Sequence, residues 1–233
     1  MTADDSRDGT VAHPNRPRPA AGAEWLPFDV PTGAIGMGDA DGAREFMTRQ
    51  LLDRRVVLLS GRLDHDAANR VGAALMTLDA TGDEPVDLRV DSGDGTVDAA
   101  LALVDVVDLL GVPVHGHGVG RVAGPALGVL AVTHRRTISP HGSLLLVEPS
   151  VEFRGSARQL EQSAAAHLDR WEAWCRRLSE ATGQPMDRIS EDAARGRRFS
   201  ADEAVAYGLV DDVVRPEARL YRLSDRPFGF APG

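Results

Sequence analysis

Between about residue 55 and residue 214, short runs rich in β-branched and aliphatic side chains alternate with longer stretches of helical periodicity. A strand followed by a helix cannot return through a tight hairpin, so this alternation predicts crossover units on a largely parallel sheet, an α/β fold. The candidate strands are 55–59, 86–90, 112–117, 136–138, 144–148 and 210–214. Between them, Asp64 or Asp66 can cap a helix that runs to about Leu78, with Ala68, Val71, Leu75 and Leu78 on one face and Gly82 as a stop. Thr96 can cap the next, where Ala100, Leu103, Val104, Val107 and Leu110 keep helical spacing until Gly111 and Pro113.

A longer helix is expected over 156–182, where Leu160, Ala164, Leu168, Trp171, Cys175 and Leu178 form a stripe at steps of four and three. Such a stripe needs a facing surface, either the core of its own domain or another subunit reached by a protruding helix. Ser200 begins a short helix with Glu203 at the capping-box position.

A chain of 233 residues that is 42% apolar supports one domain plus tails. Residues 1–41 mix Asp, Pro, Gly, Ala and Arg without periodicity and read as a disordered tail; 42–215 reads as the domain, and 216–233 as an irregular tail. Trp25, Leu26, Phe28 and Val30 in the first tail, and Tyr221, Phe228 and Phe230 in the second, are possible docking points.

Net charge of −9 argues against a nucleic-acid partner, because phosphate binding needs clustered cations. All 26 basic residues are arginine, which points to coding bias in a GC-rich bacterial genome. The single cysteine, Cys175, forms no internal disulfide and fits a reducing cytoplasm. Asp4, Asp5 and Asp8 stand where a signal peptide carries basic residues, and no run approaches membrane-spanning length, so a soluble cytoplasmic protein with no membrane partner is expected. No Walker loop, dinucleotide fingerprint or HExxH motif occurs, and no cofactor is expected.

Several segments together resemble the proteolytic subunit of the Clp protease, within the wider Clp/crotonase fold. They are the run 55–61 with Leu63 and Asp64, the loop Val90-Asp91-Ser92-Gly93-Asp94-Gly95-Thr96-Val97, the segment Thr182-Gly183-Gln184-Pro185 with Ile189, and the signature 199–211 from Phe199 to Asp211. The resemblance covers about 54–215 and implies a ββα superhelix with a protruding long helix. It also implies rings of like subunits, homo-oligomeric or mixed with paralogues, served by a separate AAA+ ATP-driven unfoldase.

The family's chemistry needs a nucleophilic hydroxyl, an imidazole base and an orienting carboxylate. The resemblance puts Gly124 at the serine position, Val147 at the histidine position and Asp192 at the third, so the triad is degenerate. Asp192, with no imidazole to orient, is expected as a surface or ion-pairing carboxylate. Gly95 and Pro125 fall at oxyanion-loop positions, with Asp94 where a glycine belongs and its charge unfavourable to an oxyanion if turned inward. Loss of a serine-protease nucleophile lowers turnover by about a millionfold, about 8 kcal/mol of transition-state stabilisation. The expected protein is therefore a non-catalytic ring subunit.

Two alternatives stand beside it. One is an active serine peptidase with displaced residues drawn from Ser92, Ser139, Ser143, His115, His117 and His141, where the alternating His115 and His117 also permit a metal-ligand reading. The other is a crotonase-like acyl-CoA enzyme, against which stands the absence of any lysine for the CoA phosphates.

Overall fold

The computed structural model describes residues 40–215, with side chains from residue 45 onward. The chain divides into units at 1–45 and 46–233, and the architecture below is that of the second. The readings that fall on 1–39 and 216–233, including all the docking residues named above, lie outside the described residues.

The described elements are α1 (Ala40–Leu52), β1 (Val56–Ser60), α2 (His65–Thr81), β2 (Val86–Asp91), α3 (Val97–Leu109), β3 (Val114–Gly118), β4 (Arg121–Ala123), α4 (Pro125–Ala131), β5 (Arg135–Ile138), β6 (Ser143–Leu146), α5 (Ala157–Thr182), α6 (Met186–Ala194), β7 (Arg197–Phe199), α7 (Ala201–Tyr207) and β8 (Asp212–Val213). Strands β1, β2, β3, β5 and β8 form a parallel sheet in that order. A second sheet has β6 at its centre, parallel to β4 and antiparallel to β7.

The period-two pattern of β2 explains how the first sheet is seated. Val86, Leu88 and Val90 are fully buried while Asp87, Arg89 and Asp91 are exposed. Register aligns Leu59, Val90, Gly118 and Ile138 in one core-facing row. Helices α2, α3 and α4 pack on that side, with Val71, Leu75, Leu103, Leu127 and Leu130 in one continuous core. Each such side chain contributes about 1.5–3 kcal/mol on burial. Parallel sheets are usually covered on both faces. Here the opposite face carries Leu58, Arg89, His115, His117 and Thr137, and no described strand or helix lies over it.

Glycine permits the close packing of β3 on α4. A Cβ at Gly116 would stand 2.3 Å from Thr133 Oγ1 and 2.8 Å from Leu130 Cδ1, so any side chain there would drive the helix off the sheet.

The capped helices form where their signals predict. Asp64 caps α2 through the Ala67 amide, Thr96 caps α3 through Ala99, and Ser156 and Ser200 each complete a capping box, with Gln159 and Glu203. Along α5, Trp171, Cys175 and Leu178 are buried, but Leu160 and Leu168 are exposed. The stripe therefore serves the domain core over its second half and leaves the first half uncovered within the chain. Four elements carry no expectation from the sequence: α1, β4, α6 and β7. The strand expected over 144–148 stops at Leu146, where its ladder with Arg197 of β7 ends, which leaves Val147 outside it.

Candidate functional site

The site is a strand, a turn and a helix. β4 enters Gly124, which is the N-cap of α4, and Pro125 takes the first helical position, where no amide hydrogen is required. Gly124 has φ 55° and ψ −131°, a left-handed backbone open to glycine and strained for other residues. Sharp strand-to-helix turns with this strain are where α/β hydrolases hold a nucleophile. Its amide donates to Leu145 O at 2.9 Å, and the Ala123 amide donates to Ser92 O at 2.8 Å, so the turn is tied to β6 on one side and to the loop after β2 on the other.

The parallel pairing of β4 with β6 brings Val147 beside this turn. A Cβ built on Gly124 would lie 3.6 Å from Val147 O and 3.8 Å from its Cγ1, ordinary contact distances. Positions 124 and 147 are thus neighbours, and the groups they present are a hydrogen atom and an isopropyl group.

The loop after β2 is held by Leu63. Gly95 bridges to Leu63, and a Cβ at Gly95 would stand 2.8 Å from both the Leu63 Cβ and its carbonyl oxygen. Ser92 is fully buried and donates its hydroxyl to Asp94 O at 3.1 Å. The Asp94 carboxylate faces Arg62, with which it pairs, and its Oδ1 accepts the Gly95 amide at 2.7 Å. That charge is answered by a cation, and the Gly95 N–H is already engaged.

Of the two roles expected for Asp192, surface or ion-pairing, the structure shows the second: it is buried and paired with Arg197. Its Oδ2 accepts from Tyr207 Oη at 2.8 Å and from Arg197 Nη1 at 2.9 Å. The Arg197 guanidinium lies over the Phe199 ring at 4.8 Å and the Tyr207 ring at 5.1 Å. Burial, then the bond to Asp192, raises the Tyr207 phenol well above its ordinary range. Asp192 therefore joins α6, β7 and α7.

Sequence reasoning passed over Trp174 and Tyr207. The Trp174 indole donates to Pro125 O at 3.2 Å and fills the space over Gly128, where a Cβ would meet Nε1 at 2.3 Å. Its place three residues after Trp171, a member of the apolar stripe, was the one signal in the sequence; in the structure the two rings stack at 4.8 Å.

Of the alternative candidates, one hydroxyl and imidazole meet. His117 Nε2 lies 3.0 Å from Ser139 Oγ, on the face of the first sheet opposite α4. Ser143 is at the start of β6 and His141 is exposed, with no hydrogen bond between them. His115 Nδ1 is 3.7 Å from Asp87, and among the described residues no group of three or more His, Cys, Asp or Glu side chains is placed to hold a metal ion. Cys175 is buried, its thiol pushed up to about 11 by burial, which leaves it unreactive. No described helix is long and apolar enough to cross a membrane.

A family profile described as Clp protease matches residues 40–217. ATP-dependent Clp protease proteolytic subunit 2 of Thermobifida fusca (strain YX) is 32% identical over 173 residues, covering 73% of this chain and 85% of that protein. The protein of the same description from Chlamydia muridarum (strain MoPn / Nigg) is 32% identical over 192 residues, with 79% and 92% covered. ATP-dependent Clp protease proteolytic subunit 3 of Streptomyces coelicolor (strain ATCC BAA-471 / A3(2) / M145) is 35% identical over 184 residues, with 76% and 84% covered.

Proposed function

Since this chain belongs to the Clp protease family, we propose that it is a non-catalytic subunit of a Clp protease ring, a structural or regulatory partner of active paralogues in ATP-dependent protein degradation. The observation that carries the reading is the contact between positions 124 and 147, which supplies neither a hydroxyl to attack a carbonyl nor an imidazole to take its proton.

The oxyanion side of the same turn supports it independently. In a strand–turn–helix hydrolase the amide of the residue after the nucleophile donates to the developing oxyanion. Pro125 has no amide hydrogen, and the Gly95 amide is held by Asp94. Each lost donor lowers turnover by about 10²–10³-fold. Nucleophile, base and oxyanion donors are thus lost together, while the scaffold around them stays packed.

The uncovered first half of α5 supports a place in an assembly, because Leu160 and Leu168 continue a stripe whose second half is core. In this reading the subunit works beside an AAA+ unfoldase in the cytoplasm, without cofactor, nucleic acid or membrane. Native mass measurement on the chain alone and co-expressed with active proteolytic subunits tests the assembly. The expected result is an oligomer that contains both; a monomer under every condition contradicts it.

A further inference from the structure

The open face of the first sheet holds a hydrogen-bonded chain that the family site does not use. Thr137 Oγ1 donates its single hydrogen to Gly116 O at 3.2 Å. It can therefore only accept from His117 Nδ1, 2.9 Å away. This assigns the Nδ1–H tautomer to a neutral His117 and leaves a lone pair on Nε2, which accepts from Ser139 Oγ at 3.0 Å.

A hydroxyl donating to an imidazole that is itself oriented from behind is the arrangement that activates a serine. The Ser139 amide is bound to Gly118 O at 3.0 Å, so the backbone is fixed and the hydroxyl has the imidazole as its partner. The charged and titratable groups on this face are Asp87, Arg89 and Asp91 of β2, His115 of β3, Arg135 of β5 and Asp212 of β8. Burial, followed by the Arg89 charge, lowers the His117 pKa against a smaller opposing effect of Asp87, so the ring is neutral at physiological pH. Arg89 is in register with His117 and forms no ion pair among the described residues, which leaves its charge for an anion forming there.

We propose that Ser139, with His117 as its base, is a reactive serine that accepts an acyl group from small activated esters on the open sheet face. Ser139 Oγ attacks the ester carbonyl carbon as its proton passes to His117 Nε2. The carbon–oxygen bond to the leaving group then breaks, the leaving group takes that proton, and the acyl group remains on Ser139. Water then attacks the acyl carbon while losing a proton to Nε2, the bond from that carbon to Ser139 Oγ breaks, Oγ takes the proton back from Nε2, and the carboxylic acid leaves. This reaction is separate from peptide cleavage at positions 124 and 147, and either can fail without the other.

The test is p-nitrophenyl acetate with the full chain, read as nitrophenolate release and as the location of the acetyl group by peptide mass mapping. The acetyl group is expected on Ser139. Ser139→Ala removes one oxygen and should bring release to background, while His117→Gln should lower it at least 100-fold. The rate should fall as pH drops through a midpoint below about 6.5, the ordinary histidine value, because a protonated Nε2 cannot accept a proton. Acetyl found on another residue or on none, or a rate indifferent to His117→Gln, overturns the proposal.

Discussion

Gly124 holds φ 55° and ψ −131° because the short β4 must turn at once into α4. A side chain has room there, 3.6 Å from the nearest atom, so the barrier to a serine is the backbone conformation and not a clash. Such strain costs about 1–3 kcal/mol and persists in enzymes where it positions a nucleophile. Gly124→Ser should therefore destabilise the chain by about 1–3 kcal/mol, read from urea denaturation. Unchanged stability would mean that the turn relaxes. The new hydroxyl would still face Val147 with no base and Pro125 with no amide hydrogen. The Asp192 carboxylate is engaged by Tyr207 and Arg197. Its role was half legible: the ion pair follows from a carboxylate among arginines, but burial depends on Phe199 and Tyr207 folding over it, a tertiary contact that no local spacing records.

The elements that the sequence predicts are those with strong local signals. α2, α3 and α7 begin at side-chain caps, and β1 and β2 read directly from their aliphatic runs. β4 and β7 are invisible because three residues carry no period, and they exist only as partners of β6. β8 is shorter than its apolar run, pairing with β5 only at Asp212 and Val213. For α5 the period is plain, while the choice between core and partner is not; the structure buries the second half in the core and leaves Leu160 and Leu168 of the first half exposed. Leu168 is the more exposed of the two, so it tests whether the first half is an interface. Leu168→Glu should leave monomer stability within about 0.5 kcal/mol and reduce the assembled fraction in native mass spectra. Assembly unaffected by this charge would remove α5 from the interface.

At the scale of the molecule, a core of α2, α3 and α4 lies on one face of a parallel sheet, beside a turn where Gly124 and Val147 are neighbours. The family fold was legible because its most specific segment, 199–211, is a capped helix packed beside a strand, and such local structure is written in order along the chain. The pairing of positions 124 and 147 was implied by resemblance and is made physical by β4 and β6. The central claim is that this pairing has no peptidase chemistry. Its most direct test is hydrolysis of a fluorogenic peptide by the purified chain, with and without substitutions at Gly124, Pro125 and Val147. Hydrolysis at background in every preparation is the predicted result; turnover by the unsubstituted chain that disappears when one of these residues is changed would contradict it.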